Sequence, residues 1–74
     1  MHGLINRAIQ GFVADTYGRA RWIAVTHLAD LGFADFEAMM IYPPELTQRV
    51  LDAAARELGK TRDELLEDIG IYLA

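Results

Sequence analysis

The sequence contains no cysteine and no serine. The first absence removes disulfides, thiolate metal sites and cysteine nucleophiles; the second removes the serine nucleophile. A Gly-rich phosphate loop is also missing, because Gly3, Gly11, Gly18, Gly32, Gly59 and Gly70 are scattered singly. No apolar run approaches the roughly 20 residues that a membrane-spanning helix requires. The opening Met1-His2-Gly3-Leu4-Ile5-Asn6-Arg7 lacks the basic start and long apolar core of a signal peptide. The expectations are a cytoplasmic chain with no membrane association. Positive charge is scarce as well: Lys and Arg total 7 against 11 Asp and Glu, a net charge of -4. Such a balance opposes nucleic acid as a partner, since phosphate binding depends on clustered Lys and Arg.

What is present is apolar and periodic. Hydrophobic residues make up 53% of the 74 positions and charged residues 24%, the balance of a compact fold rather than a disordered tail. A chain this small, without disulfide or metal staples, needs dense helix packing or a partner that shares its apolar surface. Leu4, Ile5, Ala8, Ile9, Phe12 and Val13 fall in two adjacent rows with a step of four. They predict a helix from about Gly3 to Asp15 with that stripe inward, ending before Tyr17-Gly18, where Gly18 is free to become left-handed. Trp22, Ile23, Val25, Leu28 and Ala29 predict a second helix over about Arg19 to Asp30, stopped by Leu31-Gly32. From Phe33 to Tyr42 the chain is too apolar for a solvated loop. It reads either as a short extended segment or as a single helical turn laid across the other helices.

Pro43-Pro44 closes that stretch, and Pro44 suits the first turn of a third helix, where a missing N–H costs nothing. Leu46, Val50, Leu51, Ala54, Ala55 and Leu58 form its inner face, and Gly59 its stop. Thr61-Arg62-Asp63-Glu64 is a capping box opening a fourth helix, with Leu65, Leu66, Ile69, Tyr72 and Leu73 expected inward. The predicted fold is all-α, a small bundle of about four helices in one unit over residues 1–74.

Little in this inventory carries catalytic chemistry. His2 and His27 are distant in sequence and fit no metal-ligand spacing; His27 could ligate haem or zinc in principle but reads as a half-exposed helix residue, and His2 as a solvated one. Asp63, Glu64, Glu67 and Asp68 read as a solvated acidic face, because functional carboxylate pairs need burial to separate their pKa values. The run from Ala53 to Leu66 has the outline of a helix-turn-helix, but its second helix presents those four acids against Arg62 alone, the wrong charge for DNA. No catalytic residue and no metal ligand is assigned; the pattern is that of a binding or interaction module rather than an enzyme.

Three stretches together resemble the start of the haem-nitric oxide-binding (H-NOX) family. Met1-His2-Gly3-Leu4-Ile5-Asn6-Arg7-Ala8 is similar to the family's opening, with glycine third and an apolar pair after it. Asp15-Thr16-Tyr17-Gly18 followed by Trp22 resembles its Tyr-Gly turn and next helix. Tyr42, Leu46-Thr47, Ala53-Ala54-Ala55 and Glu64-Leu65-Leu66-Glu67-Asp68-Ile69-Gly70 keep the family's order and spacing. The resemblance implies an N-terminal helical subdomain covering the distal side of a haem, part of a nitric oxide sensor that signals through protein contacts. It implies haem contacts at Met1, Leu4, Ile5 and Ile9 on the first helix, and at Leu73 and Ala74 beside the ligand pocket. The family's proximal histidine and its Tyr-x-Ser-x-Arg propionate anchor have no counterpart in these residues, so haem is the cofactor expected of the full family domain and none is expected on this chain alone. The partners implied are the haem-ligating C-terminal subdomain or a second copy of the chain, with a signalling protein beyond them. The alternative is a haem-free helical dimerisation module derived from the family.

Overall fold

The computed structural model describes residues 3–37 and 39–74. These form four helices: α1 (Gly3–Tyr17), α2 (Arg19–Leu28), α3 (Pro44–Leu58) and α4 (Arg62–Leu73). Helix α1 packs against each of the other three, and α3 additionally against α2 and α4. The core is one cluster centred on Val13, Trp22, Val25, Phe36, Val50, Ala54 and Leu65.

Local chemistry sets the helix ends. Gly59 takes φ 68°, a left-handed conformation that costs glycine little. That geometry lets the Lys60 amide donate to the Ala55 carbonyl at 2.9 Å and close α3. The capping box on α4 is complete: the Glu64 amide donates to Thr61 Oγ1 at 3.1 Å, and the Thr61 amide donates to Glu64 Oε1 at 2.9 Å. Helix α1 runs two residues past the expected Asp15, and Gly18 sits at φ 98°, ψ 156°, a positive-φ region but not the left-handed helical one foreseen. Helix α2 ends at Leu28, before the expected Asp30. The last-turn carbonyls of Val25, Thr26 and His27 accept from the Ala29, Leu31 and Asp30 amides, and just beyond the helix the Arg49 guanidinium of α3 donates to the backbone oxygens of Ala29 and Asp30.

The stretch from Phe33 to Tyr42 is irregular rather than helical across its described residues, and it is a structural strap. Phe36 is fully buried, its ring edge-on to Phe33 and Tyr42. The strap's backbone is held by side chains. Trp22 Nε1 donates to the Ala34 carbonyl at 2.6 Å, the Phe36 amide donates to Gln10 Oε1 at 2.8 Å, and Arg7 donates to the Phe36 carbonyl at 3.0 Å. The Gly3 amide donates to the Met40 carbonyl at 2.7 Å. A Cβ on Gly3 would lie 2.1 Å from the Glu37 carbonyl oxygen, so only glycine allows α1 to start this close to the strap.

The largest departure from the sequence reading is the rotation of α1. Its buried residues are Gly3, Asn6, Ile9, Gln10, Phe12 and Val13, whereas Leu4 and Ile5, expected inside, are 63% and 50% exposed. The polar side chains that replaced them have tertiary partners. Gln10 bridges the strap, donating to Asp35 Oδ1 at 2.7 Å while accepting from Phe36. Asn6 Oδ1 accepts from Thr47 Oγ1 of α3 at 2.6 Å, and Asn6 Nδ2 has no partner among the described residues. Helix α4 departs in the same way. Leu65 and Ile69 are buried, but Leu66, Tyr72 and Leu73 face outward. On α2, Leu28 is likewise exposed.

Candidate distal groove between α1 and α4

The apolar residues turned outward on α1 and α4 face one another. Leu4, Ile5, Ala8 and Gly11 of α1 and Tyr72 and Leu73 of α4 line a groove of about 680 Å3, with Arg7 and Asp15 at its polar edges. A depression of about 260 Å3 adjoins it, sharing Ile5, Ala8 and Leu73 and reaching Ile9, Leu51, Leu66, Ile69 and Gly70. The larger volume lies within the roughly 300–1,000 Å3 typical of small-molecule and cofactor sites, and its lining is of the apolar kind that such sites use.

The structure brings Leu4, Ile5 and Leu73 together on this groove, all three accessible, and places Ile9, 3% exposed and part of the core, in the adjoining depression. Ala74 is exposed beyond the end of α4 and does not line either depression. Met1 lies outside the described residues. The sequence reading did not single out Ala8, Gly11, Leu66 and Tyr72 for this site. Periodicity carried a signal for Ala8 and Leu66, which continue the same apolar rows, but it assigned those rows to the core.

Two polar features border the groove. Tyr72 Oη donates to Asp15 Oδ2 at 2.6 Å, and this bond to a carboxylate holds the Tyr72 phenol above its ordinary pKa. Beyond Tyr72, Lys60 bonds to Asp68 and stands 5.7 Å from the centre of the Tyr17 ring. The Asp68 bond, together with the Tyr17 hydroxyl, raises the lysine pKa. Asp68 is therefore engaged with Lys60 and Glu64 with the Thr61 amide, while Asp63, Glu64 and Glu67 lie on the exposed face as expected. His27 is exposed on α2 and does not line the groove; His2 lies outside the described residues. Among the described residues no group of three or more His, Cys, Asp or Glu side chains is placed to hold a metal ion. No helix among them is long and apolar enough to cross a membrane.

A second hollow, of about 440 Å3, lies between α2 and α3. It is lined by Arg49, Arg56, Asp30 and Asp52 among others, and Arg49 is already committed to the end of α2. Its side chains serve helix capping and surface pairing, which leaves the α1–α4 groove as the stronger candidate.

Beyond the fold and the groove, a match to a known family places the chain in a class of haem-binding domains. The family model described as "Haem-NO-binding" matches residues 2–74, and the chain belongs to that family. Its sequence is also 27% identical over 70 residues to soluble guanylate cyclase 89Da of Drosophila melanogaster. The match covers 95% of this chain but 10% of that relative, so the chain spans about a tenth of its length.

The residues present fit one face of a haem. An apolar groove with accessible Leu and Ile side chains suits the hydrocarbon surface of a porphyrin, and among the described residues no histidine lines it.

Proposed function

We propose that this chain forms the distal wall of a haem-based nitric oxide sensor. The observation that carries the reading is the inversion of α1. The helix buries Asn6 and Gln10 while leaving Leu4 and Ile5 accessible in a groove with Leu73. Burying an unpartnered amide nitrogen costs about 1–3 kcal/mol, and exposing leucine and isoleucine forgoes burial free energy as well. A helix that does both in its own fold is shaped for a second apolar surface, and a porphyrin supplies one. Bound haem would supply an iron centre for the diatomic ligand; Leu4, Ile5, Ile9 and Leu73 would exclude water from its distal side. An axial ligand and propionate anchors would have to be supplied by residues other than these. The unit is thus a non-catalytic part of a cytoplasmic sensor, passing its signal on through protein contacts.

The lining also supports a ligand preference. An oxygen complex gains from a hydrogen-bond donor beside the bound ligand, and Ile9 and Leu73 offer none. The proton of the nearby Tyr72 hydroxyl is committed to Asp15. The full domain is therefore expected to favour nitric oxide over oxygen, and a stable oxy complex of that domain would contradict this.

A haemin titration followed by methyl NMR tests the distal-wall reading. Because stable haem binding is not expected of this chain alone, the expected result is weak, unligated contact at high haemin excess: selective perturbation of the Leu4, Ile5, Ile9 and Leu73 methyls without a sharp six-coordinate Soret band. Perturbation of the α2–α3 side instead, or of no methyl at all, would overturn it. The second reading, a haem-free module pairing with another copy, has its own support in the strap, where Met39 and Ile41 are 87% and 78% exposed. It predicts a concentration-dependent dimer by size-exclusion chromatography that Ile41→Lys disperses and haemin does not.

A further inference from the structure

We infer that Tyr72 is the positioning residue of the groove: it fastens the last turn of α4 to α1, holds Leu73 at the groove and walls the apolar lining off from the Lys60–Asp68 pair. The functional meaning of this role rests on the distal-wall reading, but the geometry stands without it. The last turn of α4 has little else to hold it. Gly70, Ile71 and Leu73 are exposed, and a glycine inside a helix weakens it.

Tyr72 makes three kinds of contact with α1. Its hydroxyl donates to Asp15 at 2.6 Å. Its ring stands edge-on to Phe12, with centroids 5.7 Å apart and planes at 72°. Its hydroxyl end also occupies space left by Gly11, where a Cβ would come within 3.1 Å of the oxygen. The same ring lines the apolar groove on one side. On the other it lines a hollow of about 390 Å3 that contains Lys60 and Asp68. The Tyr72 ring thus stands between the apolar lining and the Lys60–Asp68 pair.

The test uses the full chain with labelled methyls and backbone amides, and needs no haem. In Tyr72→Phe the ring stays and the hydroxyl bond is lost. The amides of Tyr72 and Leu73 should then exchange about fivefold faster, the change expected for losing one modest hydrogen bond. Methyl contacts between Leu73 and α1 should weaken, while the amides of Val13 and Val50 in the core remain as protected as before. Asp15→Asn, which keeps an accepting oxygen, should restore most of the protection that Asp15→Ala removes. Unchanged exchange and methyl contacts in Tyr72→Phe would overturn the inference. So would an equal rise at the core amides, which would mean a general stability effect rather than a local fastening. If haemin fails to seek the groove while these variants behave as expected, the distal-wall reading falls and the fastening stands.

Discussion

The two long sides of the bundle obey different rules. Along α3, Val50, Leu51, Ala54 and Ala55 of the expected inner face are buried, with Thr47 and Ala53 beside them, while Leu46 and Leu58 are half-buried. Along α1 and α4, apolar residues with equally good periodicity divide, some entering the core and others lining an open groove. Leu65 and Leu66 show the contrast between adjacent residues: the first is fully buried, the second 48% exposed. One side of the molecule is finished by its own chain, and the other leaves apolar surface accessible. Association sites and ligand grooves are built this way, because the free energy of covering them is released only when the occupant arrives.

The sharpest way to break this comparison is to truncate both leucines. Leu65→Ala should destabilise the fold by about 2–5 kcal/mol, the usual result of emptying a core site. Leu66→Ala should change stability by no more than about 0.5 kcal/mol, as for a surface position. Urea denaturation followed by circular dichroism measures both. Similar losses in the two variants would mean that the groove is part of the core and would remove the basis of the comparison.

A smaller but still large effect is expected where α1 meets the strap. Replacing Gly3 by alanine raises helix propensity by about 1 kcal/mol. The added methyl would, however, lie 2.1 Å and 2.5 Å from the carbonyl oxygens of Glu37 and Met40, both of them backbone. Backbone atoms cannot rotate away as a flexible side chain can, so the collision wins and a net loss of about 1–3 kcal/mol follows. If Gly3→Ala stabilises the protein, the strap is not seated on α1 as described, and the inversion of α1 loses its support. Next in size is Thr61→Ala, which removes the capping box of α4 and should cost about 1 kcal/mol. Because the groove depends on α4, this variant should also loosen Leu73 more than Val50 in hydrogen exchange.

Legibility in the sequence followed the range of the interactions. Gly59, Pro44 and the Thr61–Glu64 capping box act within one helical turn, and each could be read directly. The face of α1 could not. Its orientation is decided by Asn6 bonding Thr47, 41 positions away, and by Gln10 bonding the Phe36 amide, 26 positions away. A local hydrophobic pattern weighs Leu4 and Ile5 above Asn6 and Gln10, and nothing nearby in sequence reverses that ranking. The strap was ambiguous for a related reason, since its polar backbone is satisfied by Arg7, Gln10 and Trp22 rather than by a regular ladder. Family resemblance, not periodicity, is what grouped Leu4, Ile5, Ile9 and Leu73, which lie at or beside the α1–α4 groove. Tyr72 was expected among the inward residues of α4, because its partners Asp15 and Gly11 lie on a helix nearly a full chain length away.

The smallest expected effect concerns how the strap is tied down, and it is read with pH. Asp35 accepts from Arg19 Nη1 at 3.0 Å and from Gln10 Nε2 at 2.7 Å. The Arg19 bond, followed by the Gln10 bond, holds its carboxyl below the ordinary aspartate value. A carboxylate whose folded pKa is depressed contributes stability that is present above its unfolded pKa and is lost as the pH falls through the folded one. The contribution of Asp35 is therefore in place at neutral pH and disappears below roughly pH 4. Both partners are more than half exposed, so solvent screens the pair and the effect on global stability is slight. Its local consequence is easier to see. The buried Trp22 donates to Ala34, next to Asp35, so release of the strap should change Trp22 fluorescence before circular dichroism reports loss of helix. Asp35→Asn should abolish that early acid step while leaving the later helix loss in place. An early step that persists in Asp35→Asn would assign it to another carboxylate. Coincident transitions in the wild-type chain would mean that strap and bundle melt as one unit, making the covered side of the molecule and its strap more tightly coupled than the open groove opposite.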